Sequence, residues 1–231
     1  MKLFIIILFG LCNSFIIRSQ DDSVYYAKIT NTRTYMNIDR VSVTEYWFTK
    51  DKSCVMCNQI KSIVRKDLGV VYLINLHTGT VRTDSIEPPK TMSPAEKPMD
   101  FKYIGQDYIP VYEWNEPKLL PSETIGEYVC EHYLCEGDAD FDQISLEYLV
   151  AKTDDQFMAG GLNSIIMSFG GSSNKREPIA GLITGNKNLI TLRIIETVEN
   201  PIAPHITTTI NVDKFELLKS SEGLFDLPDN L

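Results

Sequence analysis

Histidine is scarce in this chain and positive charge is in deficit. His77, His132 and His205 are the three histidines of 231 residues. None lies in a zinc-binding helix motif or beside a nucleophile signature, so triad-type hydrolysis and metalloprotease chemistry find no support. Lys and Arg number 22 against 31 Asp and Glu, a formal charge of −9. A chain of that sign repels phosphate backbones and anionic headgroups, and nucleic acid is not an expected partner. Gly160-Gly161 and Gly170-Gly171 lack the spacing and the lysine of a phosphate loop. No cofactor is implied. Apolar runs are short as well: the longest, Leu3 to Leu11 with a possible extension through Ile17, is interrupted by Cys12, Asn13 and Ser14, and falls short of the ~20 residues of a membrane-spanning helix.

That run, preceded by Lys2 and closed by Arg18, has the charge-then-hydrophobe order of an export signal. Residues 1–19 are expected to be a signal peptide, with cleavage after Ser19 preferred over cleavage after Ser14. The residue before Cys12 is Leu11, where lipid-attachment signals carry a small residue, so soluble export to the periplasm or the medium is the expectation. Loss of Lys2 and Arg18 takes the charge from −9 to −11. Residues 20–231 then form a single β-rich domain, and 43% hydrophobic residues suffice for its core.

Stretches rich in Val, Ile, Thr and Tyr recur between turn residues, the texture of an antiparallel sheet. The expected strands are 24–30, 41–50, 53–65, 70–77, 80–87, 124–135, 143–152, 179–184, 188–199 and 205–218. Tight turns at 66–69, 77–80 and 184–187 offer Gly or Asn for positive φ. Ile206, Thr208, Ile210 and Val212 alternate with Thr207, Thr209 and Asn211, and Ile144, Leu146, Tyr148 and Val150 alternate with Ser145 and Glu147, giving each strand one dry and one wet face.

Between 87 and 121 the texture changes, for seven of the eleven prolines lie there and proline cannot donate to a sheet ladder. This long connection carries Tyr103, Tyr108, Tyr112 and Trp114, and either packs as a crossover loop or lies across an opening of the sheet. One helix is expected after Asp154 and Asp155, with Phe157, Met158, Leu162, Ile165, Ile166 and Phe169 on one face, weakened by Gly160 and Gly161. It either covers an ordinary core or plugs a cavity.

The segment Thr124 to Tyr133, TIGEYVCEHY, resembles the I-x-G-Y-x-C-x-x-Y pattern of an uncharacterised family of exported bacterial proteins, with Gly126 and Glu127 departing in order from the pattern. Gly223 to Pro228 is similar to that family's LFxLP ending, and Tyr46 to Lys52 with Val71 to Asn75 to its N-terminal strand pair. Ile179 to Ile183 is similar to the motif of the GLPGLI family, with Ala180 at the motif's proline. The first resemblance implies a lipoprotein-carrier-like (LolA/LppX-like) half-barrel: mainly β, a strongly curved antiparallel sheet with one or two helices covering its concave face. It implies a hydrophobic ligand, a lipid or acyl chain, with another envelope protein as a further partner, and carries over no catalytic residue. The side chains expected to line the cavity are Tyr72, Ile74, Leu146, Tyr148, Leu162, Ile166, Phe169, Leu192, Ile194, Ile206 and Ile210.

Two other readings stand beside it. One is an envelope interaction module with no small ligand. The other centres on Cys54, Cys57, Cys130 and Cys135, an even set once Cys12 is removed, which in an exported chain suggests disulfides. Residues three or five apart in a straight strand cannot bridge, so bridges between the two segments follow if both are strands, and a Cys54–Cys57 bridge follows if 52–58 is a turn. Redox thiols, or a metal held by the four cysteines with His132, are the remaining options.

Overall fold

The computed structural model describes residues 23–86, 112–139, 142–169, 179, 181, 183 and 186–227. The expected signal peptide and most of the proline-rich connection lie outside them. Among the described residues there are twelve strands: β1 (Val24–Tyr35), β2 (Ile38–Phe48), β3 (Lys52–Cys57), β4 (Ile60–Arg65), β5 (Val70–Asn75), β6 (Val81–Ser85), β7 (Glu113–Trp114), β8 (Lys118–Ile125), β9 (Tyr128–Ala139), β10 (Asp142–Lys152), β11 (Leu189–Asn200) and β12 (Ala203–Leu218). The helix α1 (Gln156–Phe169) joins the β10 side to the β11 side. Strand order is β6-β5-β4-β3-β2-β1-β12-β11-β10-β9-β7, with β8 also on β9. The mainly β class read from the sequence is what is found: one antiparallel sheet that does not close into a barrel.

The expected strand 53–65 is two strands, because Asn58 takes φ 53° and turns β3 into β4. The expected strand 124–135 is likewise cut by Gly126, at φ 59°, into the ends of β8 and β9. The expected strand 179–184 contributes helical residues at 179, 181 and 183. A short apolar run does not distinguish the two states by periodicity. Part of the proline-rich connection is itself strand: Pro121 sits in edge strand β8, at the register irregularity between Leu120 and Glu123, the place where a missing N–H costs least.

The chain divides into two compact units. Among the described residues, the first comprises 23–28, 43–86 and 213–227. Its core joins Val24, Cys54, Ile63, Ile74 and Phe225, with Trp47, Tyr72 and the C-terminal Leu218, Leu224 and Leu227 packed on it. Behind Trp47, Phe48 stacks on Tyr25, which also stacks on Phe215.

The second unit comprises 29–42 and the described residues between 112 and 212. Register places Tyr148 opposite Ile194 and Ile194 opposite Ile210, while Ile144 faces Val198 and Val198 faces Ile206. Directly paired residues share a face, so Leu146, Tyr148, Ile194, Ile206 and Ile210 stand together on the dry side. The helix begins where expected: Asp155 caps it, accepting a hydrogen bond from the Met158 amide at 2.9 Å. It packs against β11, burying Met158, Leu162 and Ile166 while Phe157 stays exposed.

Candidate functional site

The docking of α1 depends on a polar side chain that its apolar stripe conceals. Asn163 is buried, its Nδ2 donates to the Leu189 carbonyl at 2.7 Å, and its Oδ1 accepts from the Thr191 amide at 2.8 Å. Pairing of β11 with β12 begins only at Arg193. The Asn163 amide therefore completes the ladder of β11 as a neighbouring strand would, satisfying two backbone groups that burial would otherwise orphan. Beside it Thr191 is fully buried and its Oγ1 has no hydrogen-bond partner among the described residues.

The expected ligand-lining residues divide between the units. Leu146, Tyr148, Ile194, Ile206 and Ile210 are brought onto one face; Leu162 and Ile166 lie on the buried face of α1. Leu192 is the extra residue of a bulge, since Leu149 pairs Arg193 while Val150 pairs Thr191. Phe169 ends α1 and its side chain lies outside the described residues. Tyr72 and Ile74 are not part of this group: they belong to the core of the first unit. Apart from Ile206, which is half-buried, the members described in the second unit are almost wholly buried, Tyr148 at 2% and Leu162 at 0% exposure.

An aromatic cover begins at one border of this face. Trp114 on β7 pairs with Gly137, and a Cβ at Gly137 would come within 2.9 Å of the indole. Only glycine lets the ring lie this close. Tyr112 tilts against Trp114 at 5.7 Å between centroids. Burial, then the neighbouring carboxylates of Asp142 and Glu196, push the Tyr112 phenol above its ordinary range. Glu196 itself stands on the dry face, paired with Leu146 and with Thr208.

The other face of the same strands carries a polar cluster beside buried Leu149. His132, 7% exposed, places Nε2 at 2.8 Å from Glu147 and Nδ1 at 3.3 Å from Glu123. Arg193 lies 3.7 Å from Glu123 and donates to Asn211 at 2.6 Å. A neutral imidazole donates to one of those carboxylates and an imidazolium to both. The members of this cluster are scattered over five strands in the sequence and carry no motif.

Among the described residues Cys54, Cys57, Cys130 and Cys135 form no disulfide, which departs from the expectation. Cys54 and Cys57 are three residues apart on β3, and Cys130 and Cys135 five apart on β9. Both spacings turn the paired side chains to opposite faces of a strand, about 10 Å or more apart, beyond bridging reach. Burial pushes the Cys54 and Cys130 thiols up, the opposite of what a reactive cysteine needs. Among the described residues no group of three ligating side chains is placed to hold a metal.

Two hollows open on the strands of the second unit. One of about 450 Å³ is lined by Asp138, Asp142, Gln143, Glu199, Asn200 and His205, among others, at the end of β9 to β12. Another of about 460 Å³ lies between Tyr128, Glu131 and Lys152.

No family profile matches the chain, and no curated protein matches it. Solved structures do. PNGF-II shares 10% identity at a TM-score of 0.32, over 88% of this chain and 30% of that one, so the chain spans under a third of its length. A DUF1329 family protein from Desulfovibrio piger shares 12% at 0.30, over 92% and 93% of the two chains. A LolA superfamily protein from Nitrosomonas europaea shares 10% at 0.29, over 94% of each. The likeness is one of chain trace.

Proposed function

We propose that this chain is an exported, non-enzymatic protein that binds a hydrophobic ligand, a lipid or acyl chain, on the dry face of its second unit under α1. The observation that carries the reading is the convergence of Leu146, Tyr148, Ile194, Ile206 and Ile210 on one face, with a glycine-weakened helix beside it. With those side chains already buried, a ligand enters by displacing α1. That helix has Gly160 and Gly161 in its interior, each costing roughly 1 kcal/mol of helix stability relative to alanine. The unpartnered Thr191 hydroxyl beside Val150 is a hydrogen-bonding position that a ligand's polar end would satisfy. Tyr72 and Ile74 serve the first unit's core and drop out of the proposed lining. Export rests on the order of charge and hydrophobicity in residues 1–19.

Titration of delipidated protein with a fluorescent acyl probe tests this. Saturable binding is expected, lost by at least tenfold in Leu146→Glu while the far-ultraviolet β signature persists. A probe signal that is linear and unsaturable, or unchanged by Leu146→Glu, contradicts it. Burial raises the Cys54 and Cys130 thiols, which does not favour the thiol-chemistry reading for those two.

A further inference from the structure

We propose that the β1–β2 hairpin is a phospholipid-bilayer docking element, with its tip entering the acyl boundary and an arginine pair engaging lipid phosphates. The apex is Met36-Asn37, both in the left-handed region at φ 51° and 60°. A two-residue turn of this type favours Asn-Gly, and a methionine there sits against local backbone preference. Its side chain is 59% exposed, and Ile38 beside it 64%. Tyr35 is also exposed.

The turn sets the register. Tyr35 faces Ile38, and Thr34 faces Asp39, to whose carboxylate it donates at 2.6 Å. The next rung then sets Arg33 against Arg40. Like charges directly across an antiparallel pair oppose pairing, and both arginines are exposed. Because side chains two apart share a face, the two arginines stand on the face of Tyr35 and Ile38, one step of about 7 Å back from the tip. That step matches the 5–10 Å by which interfacial elements bury apolar groups below the headgroups. The local rule-breaking is thus answered by one occupant: apolar side chains in the acyl boundary and phosphates between the guanidiniums.

The second hairpin apex at this end of the sheet points the same way. β1 and β12 are neighbours in an antiparallel sheet, so the β11–β12 turn lies at the same end, and its Ile202 is 89% exposed. The chain as a whole carries a net charge of −9, so its acidic parts are repelled by an anionic surface, which orients the molecule tip-first.

Co-sedimentation with mixed phosphatidylcholine–phosphatidylglycerol vesicles, using the chain lacking residues 1–19, tests the proposal. The protein is expected to pellet with vesicles. The double variant Met36→Glu with Ile38→Glu should partition at least tenfold less, and Arg33→Ser with Arg40→Ser several-fold less, the arginine variant with a urea midpoint no lower than the parent's because it relieves like-charge repulsion. Protein that stays in the supernatant overturns the proposal, as does a double variant that pellets like the parent. Vesicle-independent dimerisation that Met36→Glu with Ile38→Glu abolishes overturns it in favour of a second copy of this chain.

Discussion

At the scale of single residues, Asn163 shows how a polar side chain decides where a helix sits. Its two hydrogen bonds to the β11 backbone are buried, and removing them orphans a carbonyl and an amide. Asn163→Ala is expected to lower stability by about 2–4 kcal/mol, at roughly 1–3 kcal/mol for each orphaned group, read as a fall in the urea midpoint. Asn163→Asp should not rescue, since it loses the Nδ2 donor and sets a carboxylate against the Leu189 carbonyl. A loss below about 1 kcal/mol would remove Asn163 from this role. Nothing in the sequence flags it: within an apolar stripe, an asparagine looks like a defect. The members of the dry face were legible, because alternation along 144–150 and 206–212 carries its own geometry. That Tyr72 and Ile74 belong elsewhere was not, since alternation says which residues share a face but not which strands are neighbours.

At the scale of elements, the sequence marked most strands to within a few residues and missed turns that lack a strong signal. Asn58 with Gln59 makes a turn without glycine, and Met36 with Asn37 makes one with an apolar residue at the apex. Both were absorbed into longer expected strands or left out. The proline-rich connection hid β7 and β8, because proline argues against strand in general and only position at an edge permits it. Trp114 over Gly137 joins β7 to β9 through a contact that no Cβ allows. Gly137→Ala should displace the indole, costing about 1–3 kcal/mol as an overpacking substitution and shifting the tryptophan near-ultraviolet signal. If the near-ultraviolet spectrum and the stability are unchanged, the ring does not rest on Gly137 in solution.

At the scale of the whole molecule, charge and burial predict an alkaline limit. Burial pushes the Tyr46 phenol up to about 12 from an ordinary value near 10, and pushes Tyr26 up as well, with its hydrogen bond to Glu45 adding to the effect. A phenol whose folded-state value is raised contributes stability that is complete below the unfolded value and lost as pH rises through the folded one. Stability is therefore expected to fall between pH 10 and about 12. Phenolate absorbance and tryptophan fluorescence should then change together in that window. Tyrosines that titrate fully near 10 with fluorescence unchanged would contradict this.

The central claim is that the dry face of the second unit holds an apolar ligand, and native mass spectrometry of protein purified from cells without detergent tests it most directly. The account predicts an adduct of lipid mass on the wild-type chain that Leu146→Glu eliminates with the β signature intact. The bare polypeptide mass in every charge state, before and after incubation with phospholipid or fatty acid, would contradict it.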